Sequence, residues 1–570
     1  MRIDAGLLAA GLLAWVLTPQ AEAQWGSDSL QNLEICDLTG EQVTPKIAGT
    51  SDGGCFISWF DSRSGDYCMY IQRLDSLGNA VFNPGGLLVS DHAQQSWLVD
   101  YDLDVDGNDN AVLAFCDIRY TGDLDVTAYM IGSDGSFLWG PDGICLSDTA
   151  LTGFEPAPSV AVTEDGNCVF AWGFSDAEYY LVYQKVSPAG EKLWGDWGIT
   201  YTSGSSDLSS PLVVPAGQDS VITMWKSSTG VFPAQVTWLY AQELDVDGDF
   251  VWGDTEILVY NGGAITPWDY PELQSDGSGG AICSWYDAPS LSEFNVWIQR
   301  FDADGNMLFP MNGAQASTNS DNRLHMYPSA VYYPVEDKTY AFWVEENDNQ
   351  DQFGLYAQAF SPTGDRLWTD SGLELLPLGS DQIFFVRALS NSDGIYAGYL
   401  TGSVDTALRV MRTGYDGSVI WGPVTLSAAS LGGKDDLYGC TWPWGGAVYT
   451  WCDYRNDFGI YAQNVNPDGS MGPGTGIGEG PVSHPGTWLS VSPNPSPGGA
   501  SIAFTIGEGC RVSLGMYDIS GRLLRTLVSG TLDEGSHTVL LNADDAPGAG
   551  IYFLRLEAGG TETTASMVIL

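Results

Sequence analysis

The feature that most constrains this chain is an eightfold repeat of about 56 residues. A period of that length marks stacked supersecondary units, none of which can bury its own apolar faces alone. Each unit reads as four short strands. The second strand ends on an aromatic residue, in turn Trp59, Phe115, Trp172, Trp225, Trp285, Trp343, Tyr399 and Trp451. The third has the pattern Ile460-Tyr461-Ala462-Gln463, echoed at Leu355-Tyr356-Ala357-Gln358 and Leu239-Tyr240-Ala241-Gln242. A turn glycine follows at 78, 135, 190, 248, 305, 364, 417 and 469, and in seven units an aromatic stands four residues later, from Phe82 and Trp139 to Trp421.

Each element has a physical reason. Turns such as Asp134-Gly135 and Asp304-Gly305 need a residue that accepts positive φ without steric cost. Second strands such as Ala281-Ile282-Cys283-Ser284-Trp285 offer small or apolar groups on both faces, as a strand buried between stacked sheets must. Seventy Gly and a 12% aromatic content argue against a helical fold. The pattern predicts an all-β, eight-repeat β-propeller with four-stranded blades. A non-closing array, or a seven-bladed ring with one irregular repeat, is the alternative. The eighth repeat loses its outer strand after Gly469, while Leu33-Glu34-Ile35-Cys36 resembles Gly143-Ile144-Cys145-Leu146. The N-terminal segment is therefore expected to complete the last blade. The Gln repeated at 72, 184, 242, 299, 358 and 463 is expected to be a satisfied buried amide, because it recurs in six of the eight units and recurring residues build the fold. Function is to be sought in what differs.

The expected domains are a signal peptide at 1–23, the repeat array at 24–480, a Gly/Pro-rich linker ending at 481–492, and a C-terminal module at 493–570. Arg2, the apolar run Ala5–Leu17 and the exit Ala21-Glu22-Ala23 carry the signal reading, with an N-terminal anchor as the alternative. No transmembrane span is expected in the mature chain. A formal charge of −51 repels a phosphate backbone, so nucleic acid is not an expected partner. The ten Cys show no zinc-ligand spacing, and few or no disulfides are expected, since Cys55, Cys168 and Cys283 lie in apolar strand runs.

From Pro493-Asn494-Pro495 a new pattern begins. Ser501–Ile506, Val512–Asp518, Leu523–Val528 and Gly550–Leu556 are strands joined by tight turns, which predicts a small antiparallel β-sandwich. On Asn494-Pro495, Tyr517-Asp518, Ser520-Gly521-Arg522 and Gly550-Ile551-Tyr552, the segment resembles the C-terminal sorting domain of type IX secretion substrates and the related Ig-like module of the flagellar hook-capping protein FlgD. It ends on Ser566-Met567-Val568-Ile569-Leu570 without the basic residue usual there. The resemblance implies an Ig-like fold, the secretion machinery as a partner, and a secreted or outer-surface location.

Two sites stand out among the residues that do not recur. Asp102, Asp104, Asp106 and Asn110, around the turn Asp106-Gly107, resemble the calcium loop of integrin-type propeller repeats, so a structural calcium is expected there; a metal-free acidic hairpin is the alternative. Asp61-Ser62-Arg63, Asp117-Ile118-Arg119 and Asp453-Tyr454-Arg455 open the loops after the second strands of repeats one, two and eight. Arg63, Arg119 and Arg455 are expected to bind an anionic ligand such as a uronate- or sulfate-bearing glycan, or else to pin their own loops. No nucleophile–base or phosphate-loop motif occurs, and no catalytic residue is assigned. The expectation is a secreted or surface, non-catalytic propeller that binds a glycan or a surface protein. A polysaccharide-active enzyme, sialidase- or glycosidase-like, and a passive structural surface protein are the alternatives.

Overall fold

The computed structural model describes residues 25–473, apart from short stretches such as 95–99, 148–152 and 320–322, and 487–569 apart from several turns. The signal segment expected at 1–23 lies outside the described residues. The chain divides into two compact units, Met1–Gly474 and Thr475–Leu570. Among the described residues no helix is long and apolar enough to cross a membrane.

The first unit is eight antiparallel four-stranded sheets. Blade one is Gln42–Gly49, Cys55–Asp61, Tyr67–Leu74 and Leu87–Gln94, and blades two to seven repeat that meander. One parallel bridge, Phe294↔Leu324, links blades five and six. In blade eight the strands Lys434–Thr441, Ala447–Asp453 and Gly459–Val465 take Leu33–Cys36 as their fourth. That strand pairs antiparallel with Gly459–Val465, with Leu33 opposite Ala462. First strands of successive blades lie side by side, and Lys434–Thr441 lies against Gln42–Gly49. From blade five to blade six the contact passes through the second and third strands of blade five. This first unit is a closed eight-bladed β-propeller whose first strands surround the axis.

Every pair of neighbouring blades shares an apolar core. Val112, Phe170 and Trp172 fill the seam between blades two and three, and Ile35, Ile57, Trp59 and Val448 fill the one between eight and one. The repeat glycines add a second lock. All eight have φ between +76° and +85°. A Cβ at Gly135 would lie 3.1 Å from Phe82, at Gly305 2.4 Å from Trp252 and at Gly417 2.9 Å from Trp368, each aromatic coming from the preceding blade. For Trp139, Trp194, Trp252 and Trp421 the indole N–H reaches the same turn, as Trp139 Nε1 donates to Pro188 O at 3.1 Å and Trp421 Nε1 to Pro467 O at 2.9 Å. Blade eight has no such aromatic of its own. Trp25 takes the place: it packs 2.9 Å from a Cβ at Gly78 and donates from Nε1 to Ser76 O at 3.2 Å. The N-terminal segment thus supplies both the missing strand and the missing aromatic.

The second unit is a sandwich of two sheets. Thr487–Ser492, Ala500–Ile506 and Gly535–Leu541 form one, and Leu523–Leu532, Cys510–Asp518, Gly550–Ala558 and Thr561–Ile569 the other. Ile502, Phe504, Leu514, Met516, Leu554 and Met567 are buried between them. Thr487–Ser492, assigned to the linker from composition, is the first strand of this unit.

Candidate functional site

Two faces follow from the meander. The tight glycine turns lie on the lower face, and the loops after the second strands open on the upper face.

On the upper face, Arg63 donates from its guanidinium to Asp61, to Gly85 O at 2.9 Å and to the Cys36 thiol at 3.0 Å, and its plane lies 4.1 Å from the Tyr70 ring. Arg119 is only 3% exposed; it bonds Asp117 and donates to Tyr129 Oη at 3.1 Å. Arg455 bonds Asp453 through Nε at 2.8 Å and Asn32 Oδ1 at 3.0 Å, over Tyr461 at 3.8 Å. Burial raises the Asp61 carboxyl, but Arg63, the Trp59 indole and the Arg63 amide together hold it below its ordinary value. The three guanidiniums share no partner. Each clamps a loop of its own blade onto the third-strand ring beneath it.

The acids of blade two are likewise engaged. Asp102 Oδ2 accepts from Val160 N at 3.0 Å, and Asp104 Oδ2 from Val162 N at 2.9 Å, so both carboxylates bridge to the first strand of blade three. Asp106 Oδ1 accepts from the amides of Asn108 and Asn110, and Asp106 Oδ2 from the Asn110 side chain, which closes the hairpin on itself. Ser159 and Ser329 play the part of Asp102 in their own blades, accepting from Val213 N and Ala388 N. Each of the six carboxylate oxygens of Asp102, Asp104 and Asp106 thus accepts a hydrogen bond from the chain itself.

The axis brings together residues that the sequence reading did not single out. In most blades the first strand carries a kink at one level, where Thr44, Ala157, Ser210, Tyr327, Phe385 and Asp436 have φ between +48° and +53°. In four of these a Pro follows, at 45, 158, 211 and 328. Two residues past the kink level, side chains link around the axis. Lys46 Nζ reaches Asp100 at 3.0 Å and Tyr438 Oη at 3.1 Å; Arg387 donates to Leu437 O at 3.0 Å, lies 4.9 Å from the Tyr438 ring and ion-pairs with Glu272. This belt divides the axis. Below it lie cavities of about 440 and 630 Å³, lined by Gly49, Ser51, Asp104, Gln274, Ser390 and Cys440 among others.

Above the belt, at the kink level, the side chains differ from blade to blade. Blades two and eight contribute Asp100, Asp435 and Asp436. Burial, with repulsion from Asp435 and Asp100, pushes Asp436 up to about 6. Blades five to seven contribute aromatics: Tyr327, 39% exposed, lies 6.2 Å from Phe385 and 6.3 Å from Tyr286, and Tyr270 is 74% exposed. Beside them, burial pushes Asp269 up to about 8 against the pull of Lys226, and pushes Glu346 up to about 7. Lys226 donates to Asp269 O at 3.0 Å, and burial holds its ammonium below the ordinary range. The Pro after the kink residue was the sequence signal for this level. Blades seven and eight lack it, at Phe385-Val386 and Asp436-Leu437, so spacing alone did not line them up.

Comparison with known families decides the second unit. Residues 490–570 match the secretion system C-terminal sorting domain. This tail is a type IX sorting domain. The protein is therefore secreted or displayed on the cell surface, with the secretion machinery as the partner of its tail. No curated protein matches the chain. Among solved structures, an ulvan lyase is 9% identical with a TM-score of 0.44, covering 78% of this chain and 98% of its own. The Dos1 propeller is 11% identical at 0.43, over 76% and 95%. An α-L-arabinanase of Penicillium chrysogenum is 12% identical at 0.36, over 59% and 99%.

Proposed function

We propose that the propeller is a non-catalytic binding module that takes a glycan at the upper mouth of its axis. The observation that carries this reading is the split at the kink level: the backbone kink recurs from blade to blade, but its side chains change from acids to aromatics. Strained non-glycine backbone persists where surrounding structure holds it, and it collects at ligand sites. Here the strain belongs to the scaffold, and the ligand is read by what the scaffold presents. Tyr327, Phe385 and Tyr270 offer faces for the apolar face of a sugar ring, and Asp100, Asp435 and Asp436 accept from its hydroxyls.

The charge balance selects the glycan class. Asp100, Asp102, Glu272, Asp435 and Asp436 outnumber Lys46 and Arg387 around the axis, so a neutral glycan suits this mouth better than an anionic one. The Arg63, Arg119 and Arg455 loops are a weaker anion site than their sequence suggests, because each guanidinium is already ion-paired with the Asp two residues before it. Calorimetric titration of the full-length protein with neutral and with sulfated oligosaccharides separates these readings. Heat with neutral ligands that is lost in Tyr327→Ala supports the axial site, and heat confined to sulfated ligands overturns it.

One observation favours a second reading, a polysaccharide-active enzyme. Asp269, beside the buried Lys226, has a carboxyl raised toward neutrality, as burial alone does for Glu346, and perturbed groups of this kind are what general acid–base chemistry uses. Incubation with a polysaccharide library, with products followed by mass spectrometry, tests it. Products that vanish in Asp269→Asn would establish this reading over simple binding.

A further inference from the structure

The seam that closes the ring is unusually rich in thiols. Its core contains Cys36, Cys55 and Cys68, with Cys440 packed against it. Two of these are engaged elsewhere: Cys36 sits 3.0 Å from the Arg63 guanidinium and 3.7 Å from Asp61, and Cys68 sits 3.5 Å from Ser64 Oγ. The other two face each other across the seam. Cys55 opens the second strand of blade one, directly opposite Gly49, the last residue of the first strand. Gly49 has no Cβ, and a Cβ placed there would lie 3.6 Å from both Cβ and Sγ of Cys440, on the first strand of blade eight. Opposed positions in an antiparallel pair hold their Cβ atoms about 5 Å apart. The Cys440 side chain therefore occupies the space beside Cys55.

Their exposure differs in a useful way. Cys55 is buried, whereas Cys440 is partly exposed and lines both axial cavities below the belt. A dissolved disulfide thus has a route to Cys440 and none to Cys55.

We propose that Cys55 and Cys440 are a disulfide-forming pair that locks blade eight to blade one in the exported protein, with an external low-molecular-weight or protein disulfide as the oxidant. The Cys440 thiolate attacks one sulfur of the external disulfide; that S–S bond breaks, one thiolate leaves, and a mixed disulfide forms on Cys440. The Cys55 thiolate then attacks Cys440 Sγ, which forms the Cys55–Cys440 bond and expels the second thiolate. Two electrons pass from the protein to the oxidant, and the two thiol protons end on the expelled thiolates or solvent. The neighbouring Cys440 and burial hold the Cys55 thiol above its ordinary range, so the second step is the slow one. Such a bond joins residues that are far apart in sequence at the joint that closes the ring. Folded in a secreted chain, it meets the compartment in which disulfides persist.

The test is a peptide map of the full-length protein after incubation with oxidised glutathione, with free thiols alkylated before digestion and no reductant added. The expected result is a linked peptide pair carrying Cys55 and Cys440, preceded in time by glutathione on Cys440. Reduction should then lower the melting temperature of the oxidised wild type by about 3 °C and leave that of Cys440→Ser unchanged. Complete alkylation of both thiols, glutathione retained on Cys440 without a linked pair, or a bridge that joins other cysteines would each overturn the proposal. The peptide map needs no variant, so it decides even if Cys440→Ser folds poorly.

Discussion

Two sectors of the upper face are built on the same repeat and use it differently. In blades eight, one and two, an Asp two residues past the second-strand aromatic anchors an Arg that folds back over its own blade, as Asp117 holds Arg119. In blade four the residue just after that aromatic is Lys226, in blade five the Asp61 equivalent is Asp287 bonded to Tyr260 at 2.6 Å, and in blade six it is Glu345, 3.5 Å from His325. Among the described residues no Arg follows these acids in their loops; Arg323 reaches Glu345 at 3.7 Å from the first strand, and Tyr270, Tyr327 and Phe385 stand at the axis. Three copies of one device close a surface, and its replacement by unlike residues opens one. That difference locates the proposed ligand, and it can be broken in several ways.

The largest expected effect is in the clamped sector. Arg119→Ala leaves Asp117 buried and unpaired, and should cost about 3 kcal/mol of stability by chemical denaturation. Arg63→Ala should cost less, because that side chain is 22% exposed. Neither should alter ligand affinity once the protein is folded. Weakened binding at unchanged stability would show that these loops recognise the ligand directly.

Next in size is the open sector. Tyr327→Ala combined with Phe385→Ala should weaken glycan binding by about tenfold or more, since aromatic anchors dominate such contacts. Tyr327 is partly exposed, so the melting temperature should move much less than for Arg119→Ala. A variant that melts early would instead make these rings part of the seam.

A smaller effect separates the sectors by pH. Asp269 has a folded value near 8, above its unfolded value, so its neutral form stabilises the fold fully below about pH 4 and this contribution is lost as pH rises through 8. Asp269→Asn should therefore match wild type below about pH 4 and melt a few degrees higher above pH 8. Identical pH profiles would remove Asp269 from the account.

The smallest is expected at blade two. With Asp102 and Asp104 already bonded to Val160 and Val162, calcium should leave the melting temperature unchanged, and Asp102→Ala should cost about 1.5 kcal/mol with or without it. A calcium-dependent rise that Asp104→Ala abolishes would instead place calcium at this loop.

How much of this was legible in the sequence depends on whether a residue's role repeats. The second-strand aromatics, the turn glycines and the buried Gln are visible because eight copies align. The Gln behaves as a satisfied amide: Gln299 Oε1 accepts from Arg300 N at 2.9 Å and Phe309 N at 3.0 Å, and its amide donates to Pro310 O at 2.9 Å. The closing strand Leu33–Cys36 was legible for the same reason, by likeness to the end of repeat two. Trp25 was not, because it substitutes for a repeat residue from the other end of the chain. The belt was hidden more deeply. Lys46, Glu272, Arg387 and Tyr438 occupy one structural level but share no residue type, and only the closed ring brings them together. The Asp-x-Arg loops were visible as a motif, but sequence could not say whether the guanidinium points out to a ligand or back onto Tyr70, Tyr129 and Tyr461.

The measurement that tests the central claim most directly is a glycan array probed with the full-length secreted protein, wild type beside Tyr327→Ala/Phe385→Ala and Arg63→Ala. The account predicts binding to neutral glycans that the aromatic double variant loses and Arg63→Ala retains. Binding that survives the aromatic substitutions, or that Arg63→Ala abolishes without lowering the melting temperature, would contradict it.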